Sequence, residues 1–186
     1  MNIKRMLFLT IICFVISVFL AHNGWTQQMR PQSGTIAPVI TNSYMIDKGQ
    51  YGKVLKIYLE AEDPDGEMHK IVTSVDQVGY GHYPTDFIIL KAPYQKSFKG
   101  YIQWNTFSSK TFSLDEWTRI TIKVSVIDKA GNMSNEVMFP FTFETGAGGE
   151  PKLPAPFDQG DLSKLGKVSI DLYNPFRMDG GEGNFD

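Results

Sequence analysis

Residues 119–128 read Arg-Ile-Thr-Ile-Lys-Val-Ser-Val-Ile-Asp, with Ile120, Ile122, Val124 and Val126 on one side of an alternation and Thr121, Lys123 and Ser125 on the other. A two-residue period with β-branched residues on its apolar side predicts a half-buried strand, because successive side chains of an extended backbone point to opposite faces. Working outward, Lys53–Ala61 repeats the pattern, with Leu55, Ile57, Leu59 and Ala61 opposite Lys56, Tyr58 and Glu60. Val137, Phe139, Phe141 and Phe143 alternate in a third run. Four weaker runs, Pro38–Met45, Met68–Val75, Phe87–Leu90 and Tyr101–Asn105, bring the expected strands to seven. Turn clusters separate them at Asp63-Pro64-Asp65-Gly66, Gly79–Asp86, Ala92-Pro93 and Lys129–Asn135, rich in residues that adopt or stabilise tight turns. Pro140 has no N–H to give a ladder, so the last strand is expected at an edge or a bulge.

Seven short strands in roughly 110 residues predict an all-β fold, a seven-stranded immunoglobulin-like Greek-key sandwich. The other segments of the 186 residues look different. Lys4 and Arg5 precede the uncharged run Met6–Ala21, shorter than the roughly 20 apolar residues of a spanning helix and suited to an export signal. Residues 1–26 are therefore read as a signal peptide, with an uncleaved anchor as the alternative, and 27–35 as a flexible lead-in. The domain is assigned to 36–145. Residues 146–186 hold Pro151, Pro154, Pro156 and a Gly- and Asp-rich end, and are expected to be a mostly disordered tail. Within that tail Val168–Tyr173 alternates and is a candidate strand for a partner's edge or the domain's own.

Lys and Arg number 18 against 20 Asp and Glu, so there is no basic field to hold nucleic acid. The single cysteine, Cys13, lies inside the apolar run behind bulky Ile12 and does not suit lipid attachment. If the signal is removed no thiol remains, and stability in an oxidising compartment must come from packing.

Two segments carry a family resemblance. Leu59-Glu60-Ala61-Glu62-Asp63-Pro64-Asp65-Gly66 resembles the strand end A-x-D-x-D-G of bacterial immunoglobulin-like, cadherin-like and fibronectin-III-like extracellular modules. Val124–Asn135, reading Val-Ser-Val-Ile-Asp-Lys-Ala-Gly-Asn-Met-Ser-Asn, is similar to the V-x-D-x-A-G-N-x-S that closes many of them. Trp117 lies near where such modules place a corner aromatic. The antibody-type Cys…Trp…Cys pattern is absent, so the likeness is to disulfide-free relatives. It implies an adhesion, spacer or recognition module and not an enzyme.

Parity yields one site. Asp63 continues the inward set of its strand and Asp128 that of its own, so two carboxylates face inward at one rim. Either a calcium ion neutralises them, held by Asp63, Asp65, Glu67, Asp128 and Asn132, or each caps its own turn by accepting backbone N–H bonds. A second candidate is the aromatic loop, where Tyr80, His82 and Tyr83 with Trp104 could present rings to a sugar or peptide. The alternative there is that Trp104 and some tyrosines are core.

No G-x-S-x-G, H-E-x-x-H or C-x-x-C motif occurs, and no spacing singles out a nucleophile with a base. The expectation is a non-catalytic module, secreted, periplasmic or on the bacterial cell surface, serving adhesion, binding or structural spacing. Its expected partner is a protein or glycan of the cell envelope, and membrane contact runs only through residues 1–26 if these stay attached. The alternatives are a carbohydrate-binding module using the Tyr80–Tyr83 loop, and an accessory subunit of a surface or secretion assembly pairing through 168–173.

Overall fold

The structure, a computed structural model, describes residues 36–107, 117–146 and 152–173. The signal segment 1–26 and the lead-in 27–35 lie outside the described residues, as do 147–151 and 174–186 of the tail. Alternating runs give the regular structure. The strands are β1 (Val39–Tyr44), β2 (Lys48–Gly49), β3 (Val54–Glu62), β4 (Met68–Gln77), β5 (Gly81–His82), β6 (Asp86–Ile89), β7 (Ser97–Asn105), β8 (Arg119–Asp128), β9 (Val137–Phe143) and β10 (Ser163–Val168). One 3-10 turn, Ala92–Tyr94, leads into β7.

The protein is all-β, with ten strands among the described residues where seven were expected. One sheet runs β1-β3-β7-β10; the other runs β2-β9-β8-β4, with β5 and β6 both along the far side of β4. The additional strands are β2 and β5, two residues each, and β10 in the expected tail. Leu55, Ile57, Leu59 and Ala61 of β3 and Ile120, Ile122, Val124 and Val126 of β8 are buried in one shared core. Burying such a side chain contributes about 1.5–3 kcal/mol relative to leaving it in water.

Pro140 sits where its missing N–H costs nothing. The N–H groups of Thr142 and Glu144 point away from β8, to the carbonyls of Asp47 and Gly49. By the strand's alternation the Pro140 nitrogen points the same way, and β2 pairs only with Thr142 and Phe143. The other outer strand is anchored by a side chain. At the irregularity between Ile40 and Asn42 in β1, the Asn135 amide accepts from the Ile40 N–H at 2.9 Å and donates to its carbonyl at 3.1 Å, replacing the bonds of a neighbouring strand.

The tail departs most from expectation. Residues 152–173 are an integral part of the domain, and the strand is Ser163–Val168, earlier than the expected 168–173. β10 runs parallel to the edge of β7. Phe157, Leu165, Val168, Ile170 and Leu172 are buried; Phe157 packs on Tyr58, 5.7 Å between ring centres. Tyr58, expected on the solvent side with Lys56 and Glu60, is buried for that reason. Two glycines permit the approach. A Cβ on Gly100 would stand 2.3 Å from the Ser163 carbonyl oxygen, and one on Gly166 2.2 Å from Ile88 Cγ2. Five apolar side chains outweigh the Pro- and Gly-rich composition that suggested disorder.

The expectation of a disordered tail and the docked tail differ in a measurable way. Leu172→Ala is expected to lower unfolding stability by about 2–5 kcal/mol, as for a core leucine, with exposed Asp171→Ala within about 0.5 kcal/mol of the parent. Equilibrium denaturation checks it; equal, negligible effects would return the tail to solvent.

Candidate functional site

Asp63 and Asp128 are buried at the ends of β3 and β8, in opposite sheets, as parity required. The turns that follow meet, with the Lys129 N–H donating to the Glu67 carbonyl at 3.0 Å. Both carboxylates are nonetheless occupied locally. Asp63 accepts from the N–H of Asp65 through Oδ1 at 2.9 Å and from the N–H of Glu67 through Oδ2 at 3.0 Å. Asp128 accepts from the Asn132 N–H through Oδ1 and from the Asn132 side-chain amide through Oδ2, each at 2.8 Å. Asp65 Oδ2 accepts from the Ile36 N–H at 2.6 Å. Each of the two inward carboxylates is thus satisfied by donors of the turn that follows it, the arrangement of the capping alternative. Among the described residues no group of three or more His, Cys, Asp and Glu is disposed to hold a metal.

The rest of the Val124–Asn135 motif is spent on the same corner. Gly131 has φ +92°, a left-handed conformation that glycine adopts without penalty. The Ser134 hydroxyl accepts from the Val126 N–H at 2.9 Å, and the Ser134 N–H returns to the Val126 carbonyl at 2.8 Å.

The aromatic loop separates into two groups. Trp104, a candidate for the ligand surface with the core as its alternative, is fully buried, and its indole N–H donates to the Ile170 carbonyl at 2.8 Å. Tyr83 is buried too; its hydroxyl donates to Gln77 Oε1 and accepts from the Tyr173 N–H, both at 2.5 Å. The Gln77 amide donates to the Tyr173 carbonyl at 2.8 Å. Both residues fasten the tail and leave the candidate ligand surface. Burial pushes the Tyr83 phenol up to about 12. Tyr80 and His82 stay exposed. The Tyr80 ring lies 4.8 Å from Tyr83 and 5.3 Å from Tyr173 between centres. His82 meets Asp76 through Nδ1, and Lys123 pairs with the other oxygen of Asp76 at 2.6 Å. Hydrogen bonds from His82 and then Lys123 hold the Asp76 carboxyl below its usual range.

One aromatic not assigned to a ligand surface from sequence stands out. Trp117, at the entrance to β8, has φ +70° and a 63 % exposed side chain. A bulky residue in left-handed backbone is an outlier, costing of order 1–3 kcal/mol. Reciprocal bonds to β9 hold it there, Trp117 N–H to the Phe143 carbonyl at 2.7 Å and Phe143 N–H to the Thr118 carbonyl at 2.9 Å. Trp117 borders a shallow groove of about 390 Å³ with Asp47, Lys48, Arg119, Thr142 and Glu144. Lys48 and Glu144 pair at 3.4 Å. The ring thus lies exposed beside side chains that can donate and accept hydrogen bonds. The resemblance implied an aromatic packed at the sandwich corner; the ring is exposed instead, and nothing in the sequence marked its backbone conformation.

No family model and no curated protein matches the chain. Among solved structures, the PKD domain of an M14-like peptidase from a Thermoplasmatales archaeon is similar at 14 % identity and TM-score 0.40, over 60 % of this chain and 99 % of that one. The Pseudomonas fluorescens alkylpurine DNA glycosylase, bound to DNA containing an abasic site analog, is similar at 14 % identity and TM-score 0.37, over 56 % of this chain and 30 % of that one. Among the described residues no helix is long and apolar enough to cross a membrane.

Because Asp128 caps a turn, Asp128→Asn is expected to lower stability by about 1–3 kcal/mol, equally in millimolar calcium and in EDTA; a calcium-dependent rise in the parent's melting midpoint that the variant lacks would contradict this. The Tyr83 phenol supplies a pH dependence. Its pKa rises from 10.0 to about 12 on folding, so between those values the unfolded chain releases a proton that the folded chain keeps. Stability is fully present below pH 10 and falls as pH climbs toward 12. Tyr83→Phe should flatten that part of the stability curve, measured by urea denaturation across the range.

Proposed function

We propose that the chain is a non-catalytic module of the bacterial cell envelope, an exported immunoglobulin-like sandwich whose work is to bind a partner on an exposed face. The observation that carries this reading is Trp117, presented to solvent from strained backbone at the entrance to β8 and hydrogen-bonded to β9. Backbone strain persists where surrounding structure enforces it and clusters at ligand-contacting positions. Support for export is the uncharged run Met6–Ala21 behind Lys4 and Arg5. The side chains that could have suggested chemistry or a metal are largely employed in the fold, with Asp63 and Asp128 on turns and Tyr83 and Gln77 on the tail.

The accessory-subunit reading has less support, since Val168, Ile170 and Leu172 of the expected strand 168–173 are buried in this chain's own core and the strand that pairs with β7 is Ser163–Val168. The Tyr80–Tyr83 loop is weakened as a glycan surface because Tyr83 and Trp104 are interior.

Two linked measurements test the proposal. Expressed in a bacterium, the full chain should fractionate with the periplasm, membrane or medium, and a chain beginning at residue 27 should remain in the cytoplasm. The purified full chain should co-sediment with isolated envelopes, and Trp117→Gly should reduce that at least tenfold. Cytoplasmic retention of the full chain, or sedimentation indifferent to position 117, would count against the reading.

A further inference from the structure

We infer that the Trp117 groove is a binding site for a neutral glycan, an inference that rests on the binding-module reading and names its ligand class. Asp47, Lys48, Arg119, Thr142 and Glu144 line the groove together with the exposed Trp117. A sugar ring offers an apolar C–H face and a rim of hydroxyl groups. An indole face accommodates the first, as aromatic rings do at wet interfaces. The second needs donors and acceptors together, and the groove has both: carboxylate oxygens on Asp47 and Glu144, cationic donors on Lys48 and Arg119, and a hydroxyl on Thr142 that serves either way.

Charge selects among ligand classes. Among the described residues of the lining, two carboxylates stand against two cations, and the Lys48–Glu144 pair at 3.4 Å satisfies one of each sign. A phosphate-rich or polyanionic ligand would meet Asp47 and Glu144; a polycation would meet Lys48 and Arg119. A peptide inserting apolar side chains would find no aliphatic residue among the described residues lining the groove. An uncharged, polyhydroxylated ligand meets no such opposition.

The backbone supports the same assignment. At φ +70° a glycine or asparagine would sit with little strain, whereas this chain holds a tryptophan there and leaves it 63 % exposed. Burial of the ring in the core therefore does not offset the strain. The anchoring of Trp117 and Thr118 to Phe143 fixes the backbone beneath the ring, which limits the ordering that a ligand must impose.

The experiment uses the purified full chain against three uncharged polysaccharides, chitin, cellulose and starch, with heparin as a polyanion and a peptide array as controls. Depletion from solution and tryptophan fluorescence report binding. Trp25 and Trp104 are common to both proteins, so the part of a blue shift, on adding oligosaccharides from a retained polymer, that vanishes in Trp117→Gly reports Trp117. Wild type should be retained by at least one neutral polymer. Trp117→Gly should lose at least tenfold in affinity while keeping or raising its melting midpoint, because glycine relieves the strain and the fold is intact. Arg119→Gln, on the groove wall, should weaken binding without a change in midpoint.

Undiminished binding by Trp117→Gly overturns the site. Retention by none of the three polymers, or by heparin or peptides in their place, overturns the ligand class. If envelope sedimentation still depends on position 117 in that case, the module reading stands and the glycan assignment falls; if sedimentation fails too, both fall.

Discussion

The indole N–H of Trp104 is the polar group on which much of the domain depends. It lies in a fully buried side chain, where an unpaired donor would cost about 1–3 kcal/mol. Its acceptor is the carbonyl of Ile170, 66 residues later in the chain. Satisfying that donor requires the tail to return and lie beside β7. Once there, the tail supplies the Tyr173 carbonyl to Gln77 and the Tyr173 N–H to Tyr83. The sandwich and its C-terminal segment therefore solve one accounting problem together, and the close passages at Gly100 and Gly166 follow from it.

The same economy operates at the rim. An inward-facing aspartate at a strand end must be compensated, and the backbone is the nearest source of donors. Asp63 and Asp128 each take theirs from the turn that follows, within four residues. The motif Val124–Asn135 extends this pattern, with Ser134 closing on Val126 and Asn135 reaching across to Ile40. Its residues tie β8 to β1 at a corner. Trp117 breaks the pattern, since its conformation is strained and its ring is in water. Strain without burial is the feature that directs functional interest there and away from the more crowded aromatic loop.

Strands with a strict two-residue period were legible, and so was the inward direction of Asp63 and Asp128, because both follow from backbone geometry and local order. Tyr58, Tyr83 and Trp104 were not. An aromatic ring suits a core or a binding face equally well, and each of these three is covered by Phe157 or by residues 170–173, which lie far away in sequence. The alternation of Val168, Ile170 and Leu172 was visible as a strand candidate, yet the ladder formed at Ser163–Val168, where Gly166 can pass Ile88. β2 and β5, at two residues each, are too short to show a period at all.

By itself the sequence determined which runs extend, which face of each is apolar, and where the chain turns, since those properties depend on neighbours two to four residues apart. It also determined that any carboxylate at positions 63 and 128 would face inward. Only the tertiary structure decided what meets those residues: which donors neutralise the aspartates, which rings are enclosed, and that the tail is the last strand of a sheet. It alone placed Trp117 in left-handed backbone at the border of a groove with Asp47, Lys48, Arg119 and Glu144. The physical reason is one of range. Local sterics set a residue's direction, while burial and the satisfaction of polar groups are settled by segments brought together from distant parts of the chain.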